Sequence, residues 1–229
     1  LKAIVLAAGR GERLRPLTDT TPKPLLRAGG KRLIEWQLEG LVAGGFTDLV
    51  VNHAHLGPRI VEALGDGSRY GARIQYSAES PALETAGGIA RGLPLLGSEP
   101  FLAVSADIYT RFDYGSLRPV IEDIARRPQE RAAHFVLVPN PDYHPAGDMG
   151  LTAAGHVTRA AKPWLTYGNI SVFHPLHFEG VDPNAAMRLF PWMYEACEAG
   201  RVTGELYTGP WDNVGTAEQL ASLDRRLSE

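Results

Sequence analysis

The sequence predicts an α/β fold: a Rossmann-like, mostly parallel sheet flanked by helices, with a smaller β-rich part in the second half. Three observations predict it. Apolar runs of strand length alternate with helix-period stretches along the first half, the pattern of β-α-β units with right-handed crossovers. The opening run, Lys2–Ala8, is almost wholly apolar, as in a parallel strand covered on both faces. Glycine follows that run at once. With 229 residues, 44% of them hydrophobic, the chain can bury one sizeable core.

Leu33, Ile34, Leu38, Leu41 and Val42 fall at helical spacing, and Gly44-Gly45 closes that helix. Asp48–Asn52 reads as a strand, Pro58–Leu64 as a helix and Ala72–Ser77 as a further strand. Ala86–Leu93 reads as helix, Phe101–Ser105 as a buried strand, and Asp113–Arg127 as a helix with Pro128 beyond its end. Ala133–Pro139 and Gly168–Phe173 read as strands around a turn-rich stretch containing Asn140-Pro141, Pro145 and Gly147. Asn184–Ala199 reads as an amphipathic helix, and Thr216–Leu227 closes the chain. No repeat, low-complexity tract or linker divides it, so one domain is expected across residues 1–229.

Composition removes several classes of function. The net charge is −3 and the cations are scattered, which leaves no basic stripe for nucleic acid and no polybasic membrane patch. No apolar run approaches the roughly 18 residues of a membrane span. The N-terminus reads as a first strand, not a signal peptide. A lone cysteine, Cys197, precludes an intrachain disulfide and fits a reducing cytoplasm. Oligomeric state has no readable signature.

The densest chemistry lies in Leu6-Ala7-Ala8-Gly9-Arg10-Gly11-Glu12-Arg13-Leu14-Arg15-Pro16-Leu17-Thr18, followed by Pro22-Lys23-Pro24-Leu25. Glycines directly after a strand let backbone N–H groups approach phosphate oxygens with no Cβ in the way. Arg13 and Lys23 add positive charge for a polyphosphate. A dinucleotide turn would need a third glycine where Leu14 stands, and no stretch supplies the P-loop pattern. Pro22 and Pro24 restrict the backbone on both sides of Lys23 and so fix its direction.

This segment resembles the signature of the sugar-phosphate nucleotidyltransferase superfamily almost position for position. The resemblance continues through Gly65-Asp66-Gly67-Ser68, Leu83-Glu84-Thr85-Ala86-Gly87-Gly88, the strand ending at Asp107, and Trp211-Asp212-Asn213-Val214-Gly215-Thr216. Asn52-His53-Ala54, Leu83-Glu84-Thr85 and Gly147-Asp148 look most like the branch that uridylylates N-acetylmuramate 1-phosphate; the mannose-1-phosphate guanylyltransferases share many of these marks. The resemblance implies an NTP, in that branch UTP, and a sugar 1-phosphate as partners, with NDP-sugar and pyrophosphate as products and a use in cell-wall recycling. No hexapeptide repeat is present, so no fused β-helix acetyltransferase is expected.

Carried over by position, the resemblance implies that Ala8, Gly9, Gly11, Glu12 and Arg13 line the triphosphate and that Lys23 contacts phosphate oxygens. Thr85, Gly87 and Gly88 would approach base and ribose, and Ser105, Asp148 and Asn169 the sugar. Arg13, Lys23 and Asp107 would carry the catalysis. Nucleotidyl transfer needs in-line positioning and charge neutralisation, which Mg²⁺ supplies with one or two protein carboxylates. Asp107, just past an apolar strand, stands where open parallel sheets bind ligands. The implied metal pair is Asp107 with Asn213. Related enzymes usually carry aspartate at the second position, and Asp212, one residue earlier, would point to the other face of an extended segment.

Two more departures sit alongside: Ser105 replaces the usual asparagine and Ala106 the usual glycine. Together with Asn213 they leave two readings, a retuned enzyme or a non-catalytic homologue that binds nucleotide or nucleotide sugar. Glu79, Glu84 and Asp148 are either polar ligand contacts or solvated loop carboxylates. His53 and His55 alternate as zinc ligands do but have no third partner, which favours a hydrogen-bonded or exposed role. Met187, Phe190, Met193, Tyr194 and Cys197 read as packing.

Overall fold

A computed structural model describes residues 1–229. Its organising strand is β1 (Lys2–Leu6), whose Ala3, Ile4 and Val5 are completely buried. The chain then winds through a 3-10 turn at Glu12–Leu14, the short α1 (Leu17–Thr20) and a second 3-10 turn at Lys23–Leu25. β2 (Arg27–Ala28) and β3 (Lys31–Arg32) make a hairpin whose turn residues Gly29 and Gly30 both have positive φ, the conformation such two-residue turns demand. α2 (Leu33–Ala43) buries Leu33, Ile34, Leu38 and Leu41, as their spacing predicts. Glu35 Oε2 accepts the Arg32 N–H at 2.8 Å and so caps its first turn.

β4 (Asp48–His53), α3 (Gly57–Leu64), β5 (Arg73–Ala78), α4 (Glu84–Leu96), β6 (Phe101–Ser105) and β7 (Ile108–Thr110) follow. α4 runs past Leu93 and contains Pro94. The stretch read as one helix from Asp113 is a 3-10 turn, Tyr114–Leu117, leading into α5 (Arg118–Arg126). The remaining elements are β8 (Ala133–Val138), β9 (Gly150–Leu151), β10 (Val157–Thr158), β11 (Thr166–Phe173), α6 (Tyr194–Glu198), β12 (Val202–Leu206), β13 (Trp211–Asn213) and α7 (Ala217–Ser228).

Seven strands form one sheet in the order β12-β8-β11-β6-β1-β4-β5. Only β11 opposes the rest: it is antiparallel to β6 and β8, and the other pairings are parallel. Strands of the second half thus extend the main sheet, and the separate small ribbons are β9–β10, β7–β13 and β2–β3. Alternate residues of β1 serve opposite layers. Ala3 and Val5 pack with Ile34, Leu38, Ile60 and Ile121 from α2, α3 and α5, whereas Ile4 packs with Ile89 and Leu96 of α4.

A second element departs further from expectation. The helix read over Asn184–Ala199 is reduced to α6, and residues 184–193 are irregular. Pro191 explains it, since a proline inside a helix lacks the N–H donor and its ring strikes the carbonyl four residues back. The packing role of the segment stands: Leu189, Met193 and Cys197 are buried, and Met187, Phe190 and Tyr194 pack against them. Burial pushes the Cys197 thiol up to about 12, which suits inert packing. No helix is long and apolar enough to cross a membrane.

β7 is held from beneath by α2. Gln37, fully buried, donates through Nε2 to the Ile108 carbonyl at 2.6 Å, while its Oε1 accepts the Tyr114 hydroxyl at 2.5 Å. Tyr114→Phe would leave Gln37 Oε1 without a donor in a dry site, at a cost of about 1–3 kcal/mol. A Tm lower by several degrees in thermal denaturation is expected, and an unchanged Tm would contradict the role given to this bond.

Candidate active site

The parallel strands β1, β4 and β6 end at one edge of the sheet, and the residues just beyond them converge on one cavity of about 350 Å³. Ala8, Gly9 and Arg10 line it after β1, Asn52 near the end of β4, Ser105 at the end of β6 with Asp107 just beyond, and Glu84 and Thr85 at the start of α4. The volume suits a small-molecule site at the carboxyl ends of parallel strands.

Gly11 explains how the glycine-rich turn meets its lysine. Its φ is +67°, and a Cβ there would sit 3.0 Å from Thr18 Cγ2 and 3.1 Å from Lys23 Cβ. The turn therefore packs directly on Lys23, which is only 9% exposed. Lys23 Nζ in turn lies 2.5 Å from Asp107 Oδ2. Gly11, Lys23 and Asp107 form one contiguous group, as gripping a single polyphosphate requires.

Arg13 is exposed and reaches the far side of this group: a Cβ on Gly215 would lie 3.0 Å from its Nη2. Glu12 is exposed in the same turn. Arg10 donates to the Thr18 carbonyl at 2.8 Å and to Asp19 at 3.0 Å. Its hydrogen bond, with Arg15 beside it, holds the Asp19 carboxyl below the usual range. Arg10 also lines the cavity, although it occupies the variable position of the signature and so carries no mark in the sequence.

The floor of the cavity is a buried hydrogen-bonded bridge. Asn52 Oδ1 accepts the Ala7 N–H at 2.6 Å, and Asn52 Nδ2 donates to Glu79 Oε1 at 2.7 Å. Glu79 Oε2 accepts the Leu83 N–H at 2.7 Å. Glu79 is 5% exposed, so it is neither a solvated loop carboxylate nor open to a ligand. Burial raises its pKa, against the opposing pull of the Leu83 N–H and the Asn52 amide.

Thr85 faces the cavity, but Gly87 and Gly88 do not line it. Both are buried, and their lack of a Cβ serves packing. A Cβ on Gly87 would lie 2.5 Å from the Ala185 carbonyl, and one on Gly88 2.6 Å from Glu79 Oε1. Glu84 stands exposed at the rim with φ +60°, 3.8 Å from Arg188.

Asp148 and Asn169 lie outside this cavity. Asp148 pairs with His144 at 2.9 Å and accepts the Tyr167 N–H at 2.8 Å. Asn169 takes a left-handed conformation where β11 slips register between Tyr167 and Ser171. His55 is hydrogen-bonded to the Thr18 carbonyl, and burial lowers the His53 pKa. No group of three or more His, Cys, Asp or Glu side chains is arranged to hold a metal.

The β7–β13 ribbon brings together the two residues expected to hold a metal, Asp107 and Asn213. Asn213 is paired with Ile108, and the Val214 N–H donates to the Asp107 carbonyl at 3.0 Å. Asp212 is engaged elsewhere, 2.5 Å from Arg226. Asn213 lines an adjoining cavity of about 250 Å³ with Tyr143, Asp212 and Gln219. Tyr143, unflagged by the sequence, is an exposed residue at this cavity; partial desolvation of its hydroxyl, helped by the charges of Asp212 and Asp107, raises its pKa. As a donor set, one carboxylate that already accepts a cationic partner and one neutral amide suit a hard, water-retaining ion such as Mg²⁺ better than zinc.

Fold and site together define a nucleotidyl transferase, and the chain belongs to that family, whose model matches residues 2–162. It is similar to the N-acetylmuramate alpha-1-phosphate uridylyltransferase of Neisseria meningitidis serogroup B, with 45% identity over 96% of this chain and 95% of that protein. The enzyme of the same name from Caulobacter vibrioides is 32% identical over 99% of this chain and 97% of its own length. A Bacillus anthracis crystal structure, provisionally described as a glucose-1-phosphate thymidylyltransferase, superposes with a TM-score of 0.83. It covers 100% of this chain and 95% of that one at 21% identity, which shows the shared fold.

Gly11→Ala tests the packing of the turn on Lys23. The left-handed backbone alone costs a side chain about 1–2 kcal/mol, and the new methyl must push Thr18 or Lys23 aside. A lower Tm together with weaker nucleotide binding is expected in thermal and calorimetric titrations; wild-type values for both would refute the contact.

Proposed function

We propose that the protein transfers the uridylyl group of UTP to N-acetylmuramate 1-phosphate, forming UDP-N-acetylmuramate and releasing pyrophosphate. The observation that carries the reaction class is the Lys23–Asp107 contact of 2.5 Å beside the backbone turn at Ala8–Gly9. The cavity is thus lined by the backbone of Ala8 and Gly9 and by a carboxylate able to hold a cation, with an ammonium in contact with that carboxylate. The two uridylyltransferase relatives, each matched along nearly its whole length, support the choice of sugar and base.

In this reaction an oxygen of the sugar phosphate forms a bond to the α-phosphorus as the bond to the β-phosphate bridge breaks in line. Pyrophosphate leaves with the electron pair. The nucleophile is already ionised, so no side chain has to remove a proton. The turn from Ala8 to Arg13 cradles the triphosphate, and Lys23 and Arg13 offset charge that grows at the transferring phosphorus. Thr85 borders the nucleoside, while Ser105, Asp148 and Asn169 serve the sugar side. Asp107 and Asn213 would hold Mg²⁺, which would supply charge neutralisation at the phosphate oxygens. A cytoplasmic setting and a use in cell-wall recycling accord with these substrates.

A pyrophosphate-release assay over UTP, GTP and dTTP, crossed with N-acetylmuramate, mannose and glucose 1-phosphates, tests the proposal. Turnover should be highest for UTP with N-acetylmuramate 1-phosphate and should vanish with EDTA; a different best pair would reassign the substrate. Silence with every pair would overturn catalysis itself. Lys23→Ala and Asp107→Ala should each lower kcat/KM by about 10²–10³ while the protein, though lower in Tm, stays folded at the assay temperature. Near-normal turnover in either variant would remove that residue from the mechanism.

A further inference from the structure

The Asn52–Glu79 bridge has a polarity that only one pair of side chains can satisfy in this order. Its two ends are fixed backbone donors, Ala7 N–H and Leu83 N–H. An asparagine inserted between them accepts at one end and must donate at the other. The remaining member then has to accept twice, once from the asparagine and once from Leu83. Only a carboxylate does that; an amide in its place sets a donor against a donor, and flipping either amide moves the conflict along the chain without removing it. Asn52 is 2% exposed and Glu79 5%, so water is not available to absorb the mismatch.

The ends of the bridge are placed where a ligand would feel them. Ala7 immediately precedes Ala8 and Gly9, which line one wall of the main cavity. Leu83 immediately precedes Glu84 and Thr85, which line another. Asn52 itself lines the cavity between them. The Glu79 N–H also donates to the His53 carbonyl at 2.8 Å, which fixes the loop carrying Glu79 to the end of β4. Gly88 completes the fit, because a Cβ there would lie 2.6 Å from Glu79 Oε1 and 2.7 Å from Asn52 Nδ2.

We infer that Asn52 and Glu79 are a positioning pair for the nucleotide: through a donor–acceptor chain of fixed direction they set the span between the phosphate turn after β1 and the base-side entry to α4. This rests on the nucleotide site proposed above. The pair governs nucleotide affinity without carrying the chemistry, and the chain can be satisfied in one other way, with its direction reversed. In the double variant N52D/E79Q, the introduced carboxylate accepts from Ala7 N–H and from the introduced amide, whose carbonyl accepts from Leu83 N–H. Every donor again has an acceptor. The single variants cannot reach this state. E79Q opposes two donors, and N52D opposes two carboxylates that fit only by sharing a proton, which pH 8 disfavours.

The test is a calorimetric UTP titration at pH 8 of the wild type, N52D, E79Q and N52D/E79Q, with Tm and steady-state kinetics recorded for each. Each single variant should bind UTP about tenfold more weakly, the effect of one unsatisfied buried polar group. KM for UTP should rise more than kcat falls. The double variant should return to within about threefold of wild-type affinity. Wild-type affinity in both single variants would overturn the inference, as would a double variant no better than the weaker single one. Recovery of Tm without recovery of affinity would reduce the bridge to a structural tie and overturn it as well. A wild-type protein that binds none of UTP, GTP and dTTP would instead remove the nucleotide site, and the positioning role with it.

Discussion

The contact between the Lys23 ammonium and the Asp107 carboxylate fixes the distance on which the rest of the site depends. The two residues are 84 positions apart, one in a 3-10 turn and the other in the turn between β6 and β7, yet their charged atoms are 2.5 Å apart. Lys23 is nearly buried and Asp107 only partly exposed. Neither charge is cheaply left alone in that setting, because removing one partner strands the other with incomplete hydration. The surrounding backbone enforces the meeting. Pro22 and Pro24 flank Lys23 in a 3-10 turn, and the Ala106 N–H donates to the Leu6 carbonyl, which ties the approach to Asp107 to the end of β1.

From this contact the constraint spreads through two supports on opposite sides. Gln37 grips the Ile108 carbonyl from α2, so the strand leaving Asp107 cannot drift. β13 pairs with that strand and delivers Asn213 beside it. Beyond β13 the chain is pinned again: Gln219 Oε1 accepts from both Gly215 N–H and Thr216 N–H, and the Thr216 hydroxyl accepts from Gln219 N–H. That reciprocal cap of α7 holds Gly215 against the Arg13 guanidinium. The turn after β1 is therefore clamped from Lys23 on one side and from the α7 cap on the other.

Much of the parallel core was legible because its cause is local. β1, β4 and β6 are short apolar runs covered on both faces, and α2 shows a clean helical stripe ended by glycines. Where the cause is not local, the pattern misleads or stays silent. The apolar spacing over residues 184–199 is real burial, but Pro191 prevents the helix that would ordinarily produce it. β7 and β13 have three residues each, too few to show a period, and only their pairing places Asn213. The glycines at 87 and 88 carried a pattern that suggested ligand contact, whereas their neighbours are the Ala185 carbonyl and the Glu79 carboxylate. Asn52 and Glu79 are 27 residues apart, and nothing in either segment announces that one will satisfy the other.

The three departures from the usual signature can be weighed in the same terms. Ala106 is 1% exposed and packs into the core, so its methyl group has found room and the approach to Asp107 is intact. Ser105 still borders the cavity and keeps a hydroxyl able to donate or accept where a longer amide usually stands. Asn213 is the substantive change, since it removes a full negative charge. Asp212 does not replace that charge, because its carboxylate is engaged with Arg226 on the adjoining cavity. Under the proposed reaction the burden of holding the cation then falls on Asp107, and the ammonium of Lys23 faces one carboxylate instead of sharing the field of two. A site with one fewer anion repels an incoming triphosphate less while gripping Mg²⁺ less firmly on its own. Such a balance favours a metal that arrives already bound to the nucleotide over one resident before it.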